Sequence, residues 1–181
     1  MEIYKLKFTR LQNEIFRVLC IKAGEKMSQR QIAKTLKVSP TAVSKSVRVL
    51  EKEDLIKIKK DERLKLTYVE LNRDSEKAIS FKRIENLKMI YESGLDSYLE
   101  ENFPGATIIL FGSFSYGEDT TASDIDIAVI GIKKKEINLE KFEKLLEREI
   151  IINFYDSLKD VNKNLRSNIL RGITLTGVGL I

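Results

Sequence analysis

Apolar residues recur at helical spacing near the start of the chain. Between residues 9 and 23 they lie three or four positions apart, which predicts a helix that ends near Gly24. Ser28 and Gln31 then form the pattern of a capping box, so a second helix should begin there. The single cysteine, Cys20, falls inside the first apolar run, and we expect it to be a buried small hydrophobic side chain.

A third helix is predicted after Ser39, whose side chain can cap it, with Pro40 at the first position, where a missing N–H costs nothing. Its inward face consists of Val43, Val47 and Leu50. Its outward face consists of Thr41, Ala42, Ser44, Lys45 and Arg48. Two runs of strand character follow at Leu55–Lys60 and Leu64–Leu71, joined by Asp61, Glu62 and Arg63.

Residues 74–102 are rich in helix formers, and we predict a long helix to about Ser93 and a shorter one to about Asn102. This segment is a rigid connector, a dimerisation helix or part of the following core; its length favours a connector that also packs. After Pro104 the pattern changes to short apolar runs typical of buried strands. The predicted strands are 106–111, 124–130 and 150–155, with a helix at 139–149.

The charge is divided unevenly along the chain. Residues 1–72 carry 17 lysines and arginines against 9 aspartates and glutamates, whereas residues 73–181 carry 15 against 18. A basic portion followed by a mildly acidic one predicts two domains, one of which has a polyanionic partner. We therefore divide the chain into a basic domain at 1–72, a helical connector at 73–103 and a second domain at 104–181.

Composition excludes several classes of site. The chain has no histidine, so imidazole catalysis and imidazole metal ligation are excluded, and one cysteine makes a thiolate metal site implausible. No apolar stretch is long enough to span a membrane, and the N-terminus lacks a signal-peptide pattern. We expect a soluble, cytoplasmic protein without a membrane partner.

The chemistry concentrates in the stretch FGSFSYGEDTTASDIDIAVI, residues 111–130. Because side chains alternate along a strand, Asp124 and Asp126 should project to the same side. Two neighbouring carboxylates repel each other and are costly to bury unless a cation lies between them, and Mg²⁺ takes one or two carboxylates together with substrate phosphates. Gly112 lets the backbone approach a phosphate, and Ser113 adds a hydroxyl and an N–H.

The order of helix, helix, turn, helix and β-ribbon over residues 9–72 resembles a winged helix-turn-helix. In that family the recognition helix enters the major groove of double-stranded DNA and the wing contacts phosphate. The resemblance implies a DNA-contacting set made of Thr41, Ser44, Lys45, Arg48, Lys59, Lys60 and Arg63. Winged helices also serve as protein-interaction modules, but the basic charge of this portion favours DNA.

Gly112-Ser113, ten intervening residues and then Asp124-Ile125-Asp126 resemble the signature of the polymerase β-type nucleotidyltransferase superfamily. The minimal nucleotidyltransferases are most similar, and the arrangement with a winged helix resembles an archaeal family of transcriptional regulators. The resemblance implies that Gly112 and Ser113 bind an NTP. It also implies that Asp124 and Asp126 are catalytic residues that bind Mg²⁺ or Mn²⁺.

The superfamily's third acid helps to bind one metal ion and activates the acceptor hydroxyl, and it lies near the middle of the strand predicted at 150–155. Asn153 lies closest to the expected position in this chain, and an amide cannot act as a base. Glu149, one step earlier on the same strand face, is the candidate substitute, and Asp156 lies just beyond the strand. Whether the chain is an enzyme therefore stays open.

These observations predict a two-domain α/β (α+β) protein with a winged helix, a helical connector and a nucleotidyltransferase fold built on a small mixed sheet. The first hypothesis is a DNA-binding transcriptional regulator with a Mg²⁺–NTP-binding domain. The second is an active nucleotidyltransferase that moves an NMP group to a hydroxyl of a protein or small molecule. Minimal nucleotidyltransferases also resemble antitoxins that modify a toxin partner. A homodimer is compatible with either hypothesis.

Overall fold

A computed structural model describes residues 7–61 and 66–177. The chain divides into two compact units, Met1–Ile79 and Ser80–Ile181, and the boundary falls inside one helix. Within the described part of the chain, no helix combines the length and the apolar character needed to cross a bilayer.

The first unit contains three helices followed by a β-ribbon. In chain order the elements are α1 (Arg10–Ile21), β1 (Met27–Ser28), α2 (Gln29–Leu36), α3 (Pro40–Lys52), β2 (Ile56–Asp61) and β3 (Leu66–Leu71). Both predicted caps are confirmed: Ser28 and Gln31 form a capping box at α2, and the side chain of Ser39 accepts a hydrogen bond from the backbone of Ala42. The predicted burial of Cys20 is confirmed as well.

The strands of this unit form a sheet in the order β1-β3-β2, with antiparallel pairing throughout. The two-residue strand β1 is too short to leave a periodic signal in the sequence, and it is not among the predicted strands. The inward face predicted for α3 is confirmed, because Val43, Val47 and Leu50 are fully buried.

The second unit is built on a mixed four-stranded sheet. Its elements are α4 (Glu76–Ser93, beginning in the first unit), α5 (Leu95–Asn102), β4 (Thr107–Phe111), α6 (Gly112–Tyr116), β5 (Ile125–Ile130), α7 (Glu140–Leu146), β6 (Ile150–Tyr155), α8 (Lys163–Leu170) and β7 (Ile173–Thr176). The strand order is β6-β5-β4-β7. The β5–β6 pair is parallel, and the β4–β5 and β4–β7 pairs are antiparallel.

Both faces of the central strand β5 are covered. Ile125, Ile127 and Val129 are fully buried on one face. On the other face, Ala128 and Ile130 pack in an apolar cluster that includes residues of β4 and α8. The apolar interior holds β5 in a fixed position, and it is the N-terminal end of this strand that carries the predicted carboxylates.

Candidate nucleotide site and DNA-binding surface

Gly112 lies at the end of β4, where the chain turns into the short helix α6. Its φ of +73° belongs to the region that side chains with a Cβ rarely adopt. A Cβ built there would overlap Asp126 Oδ2 and would lie 3.1 Å from the carboxyl carbon. The glycine is therefore required both for the turn and for the close approach of the backbone to the Asp126 carboxylate.

Asp124 and Asp126 stand at the N-terminal end of β5. Asp124 comes directly before the strand, and Asp126 pairs with Phe111 of β4. Strand alternation projects both carboxylates to the same face, as the sequence predicts. Asp124 is exposed and Asp126 is half-buried, so the pair lies where the apolar cluster of that face meets solvent.

The pKa of Asp126 is raised above that of an ordinary aspartate, first by burial and then by the negative charge of Asp124. The pKa of Tyr155 is also raised, first by burial and then by the negative charge of Asp126. This face of the sheet therefore disfavours further negative charge, and a cation beside Asp126 would relieve the repulsion.

The register of β6 identifies the neighbours of the two aspartates. Ile151 pairs with Asp126, and Asn153 pairs with Ala128, two residues further into the apolar cluster. The position beside Asp126 is thus occupied by an aliphatic side chain, and Asn153 lies two residues further along the strand, not beside the aspartate. Neither residue supplies a carboxylate.

Glu149 lies immediately before β6, and its backbone oxygen accepts a hydrogen bond of 2.8 Å from Ile125 N. Continuing the parallel register by one residue places Glu149 beside Asp124, on the same face. Both residues line a cleft of about 610 Å³. The other lining residues are Thr121, Ala122, Ser123, Glu140, Glu143, Lys144, Glu147 and Arg148.

Asp156 follows the C-terminal end of β6, whereas Asp124 precedes the N-terminal end of β5. Because the two strands are parallel, these residues lie at opposite ends of the sheet. Asp156 is therefore not placed to act with the aspartate pair, which leaves Glu149 as the nearer of the two candidate substitutes.

The helix predicted at 139–149 is wrong at its end. The helix ends at Leu146, and Glu147 adopts a left-handed conformation with φ +52°. Because this position is usually a glycine at a helix end, the sequence contains no signal for the end of the helix here. The backbone beyond Glu147 is thereby redirected into β6, which brings Arg148 and Glu149 to the cleft. Because the helix was predicted to continue to residue 149, the position of Arg148 at the cleft was not predicted.

Two carboxylates on one strand face fit a divalent cation that takes its remaining ligands from phosphates and water. Within the described residues, no group of three or more carboxylate, thiol or imidazole side chains could hold a metal ion. The Asp126 carboxylate fills the place that a Cβ at position 112 would take, so the Gly112 backbone and a candidate metal ligand lie side by side.

Helix α3, the predicted recognition helix, presents the predicted outward side chains. Thr41, Lys45 and Arg48 are exposed, and Ser44 is partly exposed. Ser46, which lies between them in sequence, is buried with the core residues. One face of α3 therefore carries a basic and hydroxylated surface.

Strand β2 carries two of the remaining predicted DNA contacts. Lys59 and Lys60 are exposed on β2, and Lys59 forms an ion pair of 2.5 Å with Glu70 on β3. Arg63 lies outside the described residues. Because Glu70 already neutralises part of the charge of Lys59, Lys60 is the stronger candidate for a phosphate contact.

Comparison with known proteins supports both units. Residues 8–63 match the family described as "MarR family", and residues 93–173 match the family described as "Nucleotidyltransferase domain".

Solved structures that are similar to part of the chain include those of two bacterial proteins. The adhesin competence repressor AdcR of Streptococcus pyogenes is 26% identical, over 54% of this chain and 69% of its own, with a TM-score of 0.42. ZitR, a zinc-responsive MarR family member of Lactococcus lactis, is 32% identical over 54% of this chain and 63% of its own, with a TM-score of 0.38.

The family matches and the element order define the class of protein. The chain is a two-domain α+β protein in which a MarR-like winged helix, the fold of DNA-binding regulators, precedes a nucleotidyltransferase domain with a mixed sheet. The fold class predicted from the sequence is confirmed.

Proposed function

We propose that this chain is a transcriptional regulator that binds duplex DNA through α3 and the wing and binds a Mg²⁺–NTP complex at Gly112, Ser113, Asp124 and Asp126. The observation that carries the nucleotide part is the packing of the Gly112 backbone against the Asp126 carboxylate. That contact brings a backbone able to approach phosphate and a metal-ligand carboxylate into one small space.

Asp124 and Asp126 would hold the divalent ion. When bound, the ion neutralises charge on the triphosphate and on the carboxylate pair. Ser113 offers a hydroxyl and a backbone N–H to a phosphate oxygen, and the Gly112 turn keeps side-chain atoms away from it.

Ligand-dependent stabilisation of the full chain tests the nucleotide proposal. Each Mg²⁺–NTP is added in turn, and the Tm should rise for at least one of them because a ligand selective for the folded state stabilises it. The rise should be absent in Asp124→Asn/Asp126→Asn, while that variant without ligand should melt no lower than wild type. A wild-type Tm indifferent to all four complexes would refute nucleotide binding.

The DNA proposal is supported by the exposed basic face of α3 and by the match of residues 8–63. A winged helix of this kind reads duplex DNA with α3 in the major groove, and dimers read two half-sites. We therefore propose a homodimer on a two-fold symmetric operator. Selection of binding sites from a random duplex library with the full chain tests both parts, since an enriched sequence without two-fold symmetry contradicts the dimer.

A second candidate function is nucleotidyl transfer to a hydroxyl of a protein, such as a toxin partner, or of a small molecule. It is favoured by the position of Glu149, which lines the 610 Å³ cleft together with Asp124. The acceptor oxygen would form a bond to the α-phosphorus, the bond to the β-phosphate oxygen would break, and pyrophosphate would leave. Glu149 would take the acceptor proton.

Transfer of label from α-³²P-NTP to an acceptor in lysate, with Mg²⁺, tests this candidate. Glu149→Gln should abolish transfer while leaving NTP binding nearly intact. Ile151→Asp, which installs a carboxylate beside Asp126, should raise the rate, and Asn153→Asp should raise it less because position 153 lies deeper. Wild-type transfer unaffected by Glu149→Gln would exclude this base.

A further inference from the structure

A buried polar cluster lies beside the candidate nucleotide site, in the second unit. Its members are Lys82, Asn86, Asp119 and Arg148, each at most 6% exposed. Lys82 and Asn86 are on α4, Asp119 is in the loop between α6 and β5, and Arg148 precedes β6. Three charged side chains are thus buried together, at a position where apolar side chains would avoid the cost of removing charges from water.

Asp119 is the centre of this cluster. One of its oxygens accepts hydrogen bonds from Lys82 Nζ at 2.5 Å and from Asn86 Nδ2 at 2.6 Å. Its other oxygen faces Arg148 at 3.5 Å. Lys82 also donates to the side-chain oxygen of Asn86 at 3.1 Å, so the two α4 side chains are held together.

The cluster is connected by hydrogen bonds to segments next to both parts of the proposed nucleotide site, the Gly112-Ser113 turn and the Asp124–Asp126 pair. Asn86 Nδ2 donates to the backbone oxygen of Phe114 at 2.8 Å, in the helix that begins with Gly112. Arg148 adjoins Glu149, whose backbone oxygen accepts from Ile125, between the two aspartates. The cluster therefore links α4 to Phe114, two residues after Gly112, and through Arg148 to the start of β6, the strand that pairs with β5.

Several residues of the loop between α6 and β5 are exposed. Glu118, Ala122 and Asp124 are exposed, and the turn beyond Asp119 is closed locally by hydrogen bonds between Thr120 and Ser123. The buried carboxylate of Asp119 is what fixes the middle of the loop against α4. An ion pair adds little to stability compared with apolar packing, but it fixes one geometry because an unpaired partner is costly.

We infer that Lys82 and Asn86, acting through Asp119, are positioning residues that fix the distance between the Gly112-Ser113 turn and the Asp124–Asp126 pair, and so determine the affinity for the metal–nucleotide complex. This inference rests on the proposed nucleotide binding. Supporting groups around metal ligands typically change metal affinity about 10- to 100-fold when they are removed.

The test uses the full chain and isothermal titration with each of the four Mn²⁺–ribonucleoside triphosphates, at a temperature at which circular dichroism shows every variant to be folded. Lys82→Met and Asn86→Ala should each bind the preferred complex about 10- to 100-fold more weakly than wild type. Lys82→Arg, which keeps the charge and the donor, should recover most of the affinity. Two variants are used because either one can fail to fold.

Lys88→Met is the matched control, since Lys88 lies on the same helix and forms an exposed pair with Glu92. It should bind like wild type. If wild type binds no complex, the proposed nucleotide binding itself is wrong. If wild type binds and the folded Lys82→Met or Asn86→Ala variant binds equally well, or if Lys88→Met weakens binding as much, the positioning role is wrong.

Discussion

The two units of this protein place their chemistry on different kinds of position. In the winged-helix unit, the proposed DNA contacts Lys45 and Arg48 point away from α3, and the core residues Val43 and Val47 point inward. In the nucleotidyltransferase unit, Asp126 shares a strand face with buried apolar residues and packs against a glycine backbone. In the first unit, the side chains proposed to bind DNA are different from those that form the core. In the second unit, the Asp126 carboxylate is both a proposed metal ligand and a group that packs against the Gly112 backbone.

The largest effect we predict comes from the glycine turn. Gly112→Ala should abolish stabilisation by Mg²⁺–NTP and should lower the free energy of unfolding by more than the roughly 1–2 kcal/mol that a positive φ alone costs. Gly131→Ala is the matched control, because Gly131 has a φ of +91° with no heavy atom near the added Cβ. Urea unfolding with and without ligand measures both effects.

If Gly112→Ala and Gly131→Ala lose the same stability and both keep nucleotide binding, then the contact with Asp126 does not link packing to function. The contrast between the two units would then disappear.

A smaller effect is predicted for the recognition helix. Arg48→Ala should weaken binding to the preferred duplex by about 1–3 kcal/mol and relax base preference at one position, if the guanidinium reads a guanine edge. Its Tm should stay near that of wild type, because the side chain is exposed. Arg10→Ala is the control, since Arg10 lies on α1 and forms an exposed ion pair with Glu14.

Electrophoretic mobility shifts with matched and mutated duplexes measure this prediction. A large loss of thermal stability in Arg48→Ala would contradict the separation of binding from packing in the winged-helix unit.

On the wing, Lys60→Ala should weaken binding to all duplexes about equally and should reduce the slope of log affinity against log salt by about one. Lys59→Ala should change that slope less, because Glu70 already pairs with Lys59. Fluorescence anisotropy over a series of salt concentrations distinguishes the two. Equal slopes for both variants would show that the Glu70 pair is not kept in the complex.

The smallest effect concerns pH and the apo protein. Because folding raises the pKa of Asp126, the folded protein holds this proton more tightly than the unfolded chain, and stability falls as pH rises from the ordinary aspartate pKa through the raised one. Asp126→Asn should flatten this part of the pH profile and be at least as stable as wild type at neutral pH. Asp124→Asn should flatten it less, since its charge is the smaller cause.

Urea unfolding across the acidic pH range provides the measurement. An Asp126→Asn protein that unfolds much more easily than wild type at neutral pH would make this carboxylate a structural group.

Local signals in the sequence predicted most of the first unit. The caps at Ser28 and Ser39 and the spacing of Val43 and Val47 depend on neighbours within one or two helical turns, and each was confirmed. The short strand β1 was missed because its two residues are defined only by pairing with β3.

The second unit was less predictable because its site depends on contacts between distant segments. Strand alternation put Glu149 and Asn153 on one strand face, but only the register shows that Ile151, not Asn153, pairs with Asp126. Asp119 appeared as one polar residue in a polar loop, and its partners Lys82 and Arg148 lie 37 and 29 positions away. No periodic pattern connects residues at such separations.

The contact between Gly112 and Asp126 also has a consequence for how this protein can diverge. As long as position 126 carries a carboxylate, position 112 has no room for a side chain. In a lineage without the proposed nucleotide site, a smaller residue at 126 would open that space, and position 112 could change to asparagine, which tolerates a positive φ. Among descendants we therefore expect these two positions to change together, so that a joint change would mark loss of the proposed nucleotide site, whereas a change at Asp124 alone would leave the glycine required.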